Sequence, residues 1–132
     1  MIYALDTNII SYILRGNEDV KKRWRRGELN GRQSVILLIV YLEIKRGLLA
    51  AGAKNKLAAF ELMTAELGVD VLTVEDVDLA ASLYSECKGQ GRLMDDADLL
   101  IAAQAISRGC TLVTNNTKHF EGLKGLLLTN WV

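Results

Sequence analysis

Short apolar runs alternate along the chain with longer amphipathic segments. The runs Ile2–Leu5 and Thr111–Thr114 predict buried strands, because they are short and apolar or β-branched and are followed by Asp or Asn. Val69–Thr73 alternates weakly and also predicts a strand, and Leu126–Thr129 predicts a last one. Ser34–Leu38 is compatible with a strand, although periodicity does not separate strand from helix in so short a run.

Longer segments with helical patterns connect these runs. They are Asn8–Leu14, Asp19–Arg26, Val40–Ala51, Lys54–Leu67, Asp76–Lys88 and Asp96–Arg108, with Gly27 near the end of the second and Gly109 as the C-cap of the last. Strands that alternate with helices predict the α/β class with a parallel sheet. Ligands of such sheets bind beyond the carboxyl ends of the strands, which is where Asp6 and Asn115-Asn116 would lie.

Length and charge refine this picture. At 132 residues, half of them apolar, the chain is expected to form a single globular domain over residues 1–132. The formal net charge is zero, but between Arg15 and Lys56 there are eleven Lys/Arg against four Asp/Glu. From Leu57 to Val132 there are five Lys/Arg against eleven Asp/Glu. The basic part is suited to a polyanion and the acidic part to a cation.

Several classes of protein are disfavoured. Cys87 and Cys110 lack metal-type spacing and are typical of reduced thiols. No signal-peptide pattern is present and the longest apolar run, Val35–Leu42, is far too short to span a bilayer, so we expect a cytoplasmic protein with no membrane partner. The chain has a single histidine, His119, which excludes histidine-pair chemistry, and it has no Gly-rich phosphate loop.

Four acidic side chains lie beside apolar segments: Asp6, Glu43, Asp96 and Asp98. Asp6 ends the first strand, Glu43 interrupts the apolar stretch Val35–Leu49, and Asp98 opens a strongly apolar helix. A buried carboxylate without a partner costs several kcal/mol. Their placement therefore favours a bound cation.

Each acid also has a purely structural interpretation. Asp6 precedes a predicted helix, and N-capping explains it as well as catalysis does. Asp95, Asp96 and Asp98 would stabilise a helix start by ~0.3–1 kcal/mol each through the macrodipole. This second interpretation explains the cluster but not its combination with Asp6 and Glu43.

Glu43 has a solvated alternative as well. Lys45 and Arg46 follow it directly, so Glu43 could lie on the wet face of a surface helix, which is the commoner case for a glutamate. Asn115-Asn116 is typical of a turn, yet its amides, like the hydroxyl of Thr114, could orient a ligand.

The basic run Lys21–Arg26 is typical of a solvated helix face. Its Trp24 could pack on the core or stack on a base while the arginines bind phosphates. His119 has the same ambiguity, since a lone histidine is usually structural or exposed.

The acids occur in longer motifs whose order resembles the PIN domain, and specifically the VapC toxins of toxin–antitoxin systems. The motifs are Leu5-Asp6-Thr7-Asn8, Tyr41-Leu42-Glu43-Ile44-Lys45-Arg46-Gly47, Gly91-Arg92-Leu93-Met94-Asp95-Asp96-Ala97-Asp98-Leu99-Leu100-Ile101-Ala102-Ala103, Leu112-Val113-Thr114-Asn115-Asn116-Thr117-Lys118-His119-Phe120 and Asn130-Trp131. The resemblance covers the whole chain. It implies a PIN-like three-layer α/β/α sandwich with a central, mostly parallel sheet.

The resemblance also implies roles for single residues. Asp6, Glu43 and Asp98 match the family's three core acids, and Asn116 matches a fourth position that is often Asp. Asn at that position lowers the charge of the site and is expected to weaken binding of a second metal. Asp96 is the candidate to compensate. A further departure is Leu38-Ile39-Val40-Tyr41, where the family often has small and hydroxyl residues.

Oxygen-only ligands select Mg²⁺ or Mn²⁺. We expect Asp6 and Asp98 to be primary ligands, and Glu43 to bind the metal or to take a proton from the attacking water. The site would be oriented by three polar residues, Thr7, Asn8 and Thr114. Metal-activated water would leave 5′-phosphate and 3′-hydroxyl ends.

The implied substrate is RNA, such as tRNA or rRNA. The candidate RNA-binding residues are the basic side chains of the first third of the chain, Arg15, Lys21, Lys22, Arg23, Arg25, Arg26, Lys45 and Arg46. The resemblance further implies a homodimer and a cognate VapB-like antitoxin. Its arm would enter an apolar groove of the early helices and place a basic side chain near the acids.

Three other functions compete with this one. A receiver-type signalling domain needs an acidic pair after the first strand, but only Asp6 is present there. A dehalogenase-like phosphatase needs Asp-x-Asp, and Asn8 breaks that pattern. A PIN fold that binds RNA or a protein without cutting remains compatible with Asn116.

Overall fold

Five short strands form one parallel sheet in the computed structural model, which describes all residues from 1 to 132. They are β1 (Ile2–Leu5), β2 (Gln33–Leu37), β3 (Val69–Asp70), β4 (Thr111–Val113) and β5 (Leu127–Thr129). Their spatial order is β3-β2-β1-β4-β5, and every neighbouring pair is parallel. The predicted α/β class is therefore confirmed, with a sheet that is parallel throughout.

Seven helices surround the sheet in a three-layer α/β/α arrangement. They are α1 (Thr7–Leu14), α2 (Glu18–Leu29), α3 (Leu38–Ala51), α4 (Lys54–Leu67), α5 (Val74–Gly89), α6 (Asp96–Arg108) and α7 (Thr117–Phe120). The short α7 was not predicted, because four residues contain too little periodicity to reveal a helix. No helix combines the length and apolarity needed to cross a membrane.

The second helix continues past its predicted end at Gly27. Gly27 is buried inside α2, and a Cβ atom built there would lie 3.4 Å from the ring of Tyr3. The glycine therefore allows α2 to lie close against β1, and the helix ends only after Leu29.

The third strand is shorter than the predicted Val69–Thr73. Only Val69 and Asp70 pair with β2. Arg108 binds the segment that follows, with its Nε 3.0 Å from Asp70 Oδ2 and its Nη2 3.0 Å from the Val71 carbonyl oxygen. Thr73 then caps α5, which is why this helix begins before the predicted Asp76.

A single cluster of 29 buried apolar residues fills the space between the sheet and the helices. The middle of α6 is buried on all sides and contains the small residues Ala102, Ala103 and Ala105. Small side chains allow α6 to approach β2 and β4 closely. Because α6 leads into the parallel strand β4, its first turn lies at the carboxyl edge of the sheet.

Candidate functional site

The strand order reverses between β1 and β4. The chain runs from β1 to β2 and β3 on one side, and from β4 to β5 on the other. Open parallel sheets bind ligands at such a switch point, beyond the strand ends. Asp6 follows β1 and Thr114 follows β4, and the Thr114 hydroxyl donates to Asp6 Oδ2 at 2.8 Å.

Asp6 is buried and fully engaged with its neighbours. Only 6% of its surface is exposed. The Thr7 backbone N–H donates to Oδ1 at 2.8 Å, which makes Asp6 the N-cap of α1. Its other oxygen accepts from Thr114 and, at 3.4 Å, from the Asn8 amide. Capping therefore uses one carboxylate oxygen, and the other faces β4.

The surroundings of Asp6 disfavour the charged form of its carboxyl group. Burial raises the pKa of Asp6 above its ordinary value, and hydrogen bonds from Thr114 and Thr7 act in the opposite direction. The negative charges of Asp98 and Glu43 raise this pKa further. The other two core acids predicted from the sequence therefore both act on the pKa of Asp6.

Glu43 lies on α3 with its carboxylate turned toward α1. The Thr7 hydroxyl donates to Glu43 Oε1 at 2.8 Å, and Glu43 is half-buried. Lys45 instead donates to the Tyr41 hydroxyl at 2.9 Å, and Arg46 is exposed. Glu43 is therefore partly exposed, as the solvated alternative expects, but its carboxylate is held by a residue of α1.

Asp98 lies in the first turn of α6, capped by Asp95. The Asp95 carboxylate accepts from the Asp98 backbone N–H at 2.9 Å, as the structural interpretation of the cluster expects. The Asp98 carboxylate does not cap the helix. Its Oδ2 lies 2.6 Å from Nε2 of His119.

Burial is the main cause that raises the pKa of Asp98. The hydrogen bond to His119 lowers this pKa, and the negative charge of Asp95 raises it. Asp98 and Asp6 therefore share the same property: both carboxylates are less easily ionised than an exposed aspartate.

His119 belongs to the site, which the sequence left undecided. It lies on α7, and Arg92 holds this short helix through hydrogen bonds to the backbone carbonyls of His119 and Glu121. The position of His119 just past the end of β4 was the available signal. Arg92 lies in one of the motifs that carry the resemblance, but its role was not predicted, because its partners are backbone atoms 27 and 29 residues away.

Asn115 and Asn116 complete the edge of the sheet. The Asn115 backbone N–H donates to Asn8 Oδ1 at 2.8 Å, and that of Asn116 donates to the Thr114 hydroxyl at 3.0 Å. The Asn116 side chain is exposed and makes no hydrogen bond. It is therefore available to a ligand at the position where the resemblance places a fourth acid.

Asp96 lies apart from the other acids. It lines an apolar groove between α5 and α6, next to Val77, Tyr84 and Leu100. Its charge is not among the causes that raise the pKa of Asp6. The structure thus groups Asp6, Glu43 and Asp98 and leaves Asp96 on another face of α6.

A pocket of about 250 Å³ opens beside the acids. Thr7 and Glu43 line it together with two cations, Arg15 and Lys56. Arg15 was predicted to bind RNA, whereas Lys56 was not named. Lys56 is distant from Glu43 in sequence, and only the packing of α4 beside α3 brings the two to one pocket.

The basic residues of α2 are spread around the helix. Lys22, Arg23, Arg25 and Arg26 are exposed. Trp24 is buried in the core, so the base-stacking interpretation of Trp24 is wrong. Lys21 is half-buried and lines an apolar pocket between α2 and α4.

The chemistry of these donors fits a hard divalent cation. Asp6, Glu43 and Asp98 provide only carboxylate oxygens; burial opposes ionisation of Asp6 and Asp98, and the charges of Asp98 and Glu43 further oppose that of Asp6. A cation would relieve both effects. No three His, Cys, Asp or Glu side chains are close enough to share one ion as they stand.

Comparison with known proteins gives a consistent result. The family model for the PIN domain matches residues 3–125. Ribonuclease VapC2 of Rickettsia felis is 33% identical over 140 residues, which cover 99% of this chain and 98% of the relative. The tRNA(fMet)-specific endonuclease VapC of Shigella flexneri is 32% identical, with 98% and 97% coverage.

Solved structures show the same likeness. VapBC2 of Rickettsia felis, bound to a DNA fragment from its promoter, superposes with a TM-score of 0.91 at 28% identity over the full length of both chains. VapBC-1 of nontypeable Haemophilus influenzae superposes with a TM-score of 0.84 at 30% identity, covering 99% of this chain and 98% of the other.

Proposed function

The chain belongs to the PIN-domain family, as a VapC-type toxin endoribonuclease, and we propose that it hydrolyses RNA with Mg²⁺ or Mn²⁺ at Asp6, Glu43 and Asp98. The observation that carries this proposal is that Asp98 and Glu43 both raise the pKa of the buried Asp6 at the switch point of the sheet. A buried carboxylate whose ionisation is opposed by two further acids is suited to a divalent cation.

Asp6, Glu43 and Asp98 would hold the ion. When bound, it supplies Lewis acidity, which lowers the pKa of a water molecule and offsets the charge that builds on the scissile phosphate. The expected products carry 5′-phosphate and 3′-hydroxyl ends. Asp96 is left out of this set because its side chain lines the groove between α5 and α6.

Neutral donors hold two of the three carboxylates in place. Thr114 and Asn8 hold Asp6, while Thr7 holds Glu43. Supporting groups of this kind fix the orientation of ligating carboxylates. Glu43 accepts one hydrogen bond within the chain, so its second oxygen is free to take a proton from the attacking water.

RNA would approach over the basic side chains that surround the acids. Arg15 and Lys56 flank the pocket beside Glu43, and Arg46 is exposed on the next turn of α3. The name of the Shigella flexneri relative makes tRNA the first substrate to test. The free amide of Asn116 would orient substrate where other members have an acid.

A VapB-like antitoxin would restrain this activity. The two VapBC structures described above are toxin–antitoxin complexes. A pocket of about 270 Å³ between α1, α2 and α4 provides an apolar groove for an antitoxin segment, lined by Ile13, Leu14, Trp24, Leu62 and Met63. The complex would form in the cytoplasm.

A homodimer completes the proposed assembly. The groove between α5 and α6 is lined by Val77, Ala80, Ala81, Tyr84, Leu99 and Leu100, and provides an apolar surface for a second copy. Light scattering on the antitoxin-free protein would give the mass directly. A monomer at all concentrations would contradict this assembly.

The test of the proposed function is RNA cleavage by pure, antitoxin-free protein. Total RNA and a tRNA pool are incubated with Mg²⁺ or Mn²⁺, and the cut ends are mapped. We expect discrete cuts that disappear with EDTA and in Asp98→Asn. The divalent ions should also raise the melting temperature of the wild type, because a ligand that binds only the folded state stabilises it.

The variants provide matched controls. Asp96→Asn removes a neighbouring acid from the same helix turn and should retain both cleavage and the metal-dependent rise in melting temperature. Folded wild-type protein that binds RNA but does not cut it in either metal would instead identify a non-cutting PIN module. Cuts that persist in EDTA would exclude the proposed chemistry.

A further inference from the structure

A polar pocket borders α2 on a different side from the apolar groove between α1, α2 and α4. Its volume is about 270 Å³, and three arginines, Arg23, Arg26 and Arg32, line it. The remaining lining residues are Tyr3, Gly27, Asn30, Thr129 and Trp131. No acidic side chain lines this pocket, so the three guanidinium groups converge on a space without a counter-charge.

The guanidinium groups are partly fixed by neutral partners. Arg32 Nη1 donates to the Tyr3 hydroxyl at 2.5 Å, and Arg23 Nη1 donates to the Asn130 carbonyl oxygen at 3.2 Å. None of the three arginines forms an ion pair within 4.0 Å. Each guanidinium carries five N–H donors, so most of its donors remain free.

Arg23, Arg26 and Arg32 are exposed, and no glutamate is among the residues that line their pocket. Glu28 and Glu66 line a different pocket, on the other side of Arg32. Arg25, on the same helix, lies over the Trp24 ring at 5.9 Å and does not line the arginine pocket. The basic run of α2 is thus divided, and two of its arginines join Arg32.

A chain of hydrogen bonds connects this pocket to the acids. Asn130, whose carbonyl holds Arg23, donates its amide to Asn115 Oδ1 at 3.3 Å. Asn115 in turn donates to Asn8 Oδ1, and Asn8 donates to Asp6. The pocket residue Thr129 ends β5, two strands from β1, or about 10 Å at ordinary strand spacing.

We propose that Arg23, Arg26 and Arg32 form a subsite for a backbone phosphate of the RNA, distinct from the phosphate that is cut. This inference rests on the proposed function, since it locates where the same substrate continues beyond the acids. Arginine forks match phosphate oxygens in geometry, and unpaired cations release counterions when they bind a polyanion. Asn30 and the Tyr3 hydroxyl add neutral hydrogen-bonding groups to the pocket.

The test measures binding and cleavage separately. Affinity for a fluorescein-labelled single-stranded RNA is followed by anisotropy in EDTA, over a series of salt concentrations. The triple variant Arg23→Gln/Arg26→Gln/Arg32→Gln is compared with Lys54→Gln/Lys88→Gln/Lys124→Gln, which removes the same charge from exposed positions that line none of these pockets.

We expect the arginine variant to bind RNA about tenfold more weakly or worse, with a salt dependence flatter by ~0.7 for each phosphate that the protein no longer neutralises. The lysine variant should bind as the wild type does. Arg26→Glu is the second variant, because the Arg26 guanidinium makes no hydrogen bond within the chain and its loss leaves the fold intact. Lys124→Glu is its matched control.

The outcomes separate this subsite from the proposed catalysis. If the wild type cuts RNA but the arginine and lysine variants bind it equally well, the subsite is wrong and the nuclease stands. If the wild type does not cut RNA, but the arginine variants bind RNA more weakly than the wild type does, the subsite stands and the proposed catalysis is wrong. Unchanged RNA affinity with weakened binding of DNA or of the antitoxin would overturn the subsite in favour of that partner.

Discussion

At the scale of single residues, each of the three carboxylates is held by a hydrogen bond to a side chain of another element. Asp6 is held by Thr114, Glu43 by Thr7, and Asp98 by His119. The hydroxyls of Thr114 and Thr7 orient Asp6 and Glu43 without adding a positive charge, so the negative charges of Glu43 and Asp98 still raise the pKa of Asp6. The three carboxylates are therefore held in position, but bringing their negative charges together is unfavourable, as expected where a cation binds.

Loss of His119 tests whether the orientation of Asp98 matters. We expect His119→Ala to lower RNA cleavage and Mn²⁺ affinity by ~10–100-fold, the usual effect of losing a group that supports a metal ligand. His119→Gln keeps a nitrogen donor at a similar reach and should recover part of both. Cleavage kinetics and Mn²⁺ titration monitored by calorimetry would measure the effects.

The matched control for this residue is Lys118→Ala, which alters the neighbouring exposed position of α7. Lys118→Ala should leave the Mn²⁺ affinity unchanged. Equal Mn²⁺ affinity in the wild type and in His119→Ala would show that His119 does not support the site.

Asp6 gives the folded state a distinctive pH dependence. Its pKa is raised in the folded state, chiefly by burial, so its stabilising contribution is complete below the ordinary aspartate pKa. That contribution is lost as the pH rises through the raised value. In EDTA, the free energy of unfolding of the wild type relative to Asp6→Asn should therefore fall between about pH 4 and neutral.

Urea unfolding at a series of pH values measures this difference. The asparagine variant also weakens the hydrogen bond to Thr114, but that effect is independent of pH in this range. A difference that rises toward neutral pH would mean that Asp6 is stabilised as a charge in the folded protein.

At the scale of elements, α6 connects the site with the stability of the fold. Its first turn places Asp98 at the edge of the sheet, and its last turn ends with Arg108. Arg108 Nη1 lies 2.8 Å from the fully buried Asp76 on α5, and its Nε lies 3.0 Å from Asp70 on β3. Helix α6 thus binds the edge strand β3 through Arg108 and places Asp98 in the site.

Asp76 accepts two hydrogen bonds from Arg108 in this ion pair. The hydrogen bonds from Arg108 hold the pKa of Asp76 well below its usual range, and Asp76 also closes a capping box with Thr73. Asp76→Ala would leave Arg108 without its buried partner and should cost ~3–5 kcal/mol in the free energy of unfolding. Asp78→Ala, at an exposed position of the same helix, should cost little.

The pH dependence gives a second check on Asp76. A lowered pKa contributes stability above the ordinary aspartate pKa and loses it as the pH falls. Urea unfolding should therefore show the difference between wild type and Asp76→Ala shrinking in acid. A constant difference across pH would assign the cost to the missing cap alone.

At the scale of the whole molecule, apolar and basic surfaces lie on different sides of α2. Lys21 and Trp24 border the groove shared with α4, while Arg23 and Arg26 border the arginine pocket. This separation allows the antitoxin and the RNA to contact different faces of one helix. Inhibition would then depend on the antitoxin reaching the acids beyond Arg15, not on covering the arginine pocket.

If the antitoxin binds the apolar groove between α1, α2 and α4, a substitution in this groove should weaken inhibition by the antitoxin. Leu62 is 74% exposed in the free chain and lines the apolar groove, so Leu62→Glu should weaken antitoxin binding by about tenfold or more, which is ~1.4 kcal/mol. RNA cleavage by the free toxin should be unchanged. Titration of cleavage with the antitoxin measures both quantities.

Leu93→Glu is the matched control, since Leu93 is 84% exposed and lines no part of the groove. It should leave inhibition as in the wild type. Inhibition of Leu62→Glu at the wild-type antitoxin concentration would place the antitoxin on another surface.

The sequence by itself determined the class of the fold. The apolar runs Ile2–Leu5 and Thr111–Thr114 contain the buried strands β1 and β4, because a short apolar segment loses water-exposed area while its backbone is paired in the sheet. The resemblance of their motifs assigned the acids Asp6, Glu43 and Asp98 to one site, and each adjoins a core segment. Their roles in catalysis remain predictions; Asp6 lies where β1 ends, whereas Glu43 lies within α3 and contacts Thr7 of α1.

Only the tertiary structure decided the rest of the site. His119 reaches Asp98 because Arg92 fixes α7 from a distance, and Asp96 leaves the site because successive residues of α6 point to different faces. Arg32 lines one pocket with two arginines of α2 because Tyr3 of β1, which binds Arg32, lies beside that helix. Periodicity along a chain records which residues are buried, whereas these groupings depend on which distant segments meet.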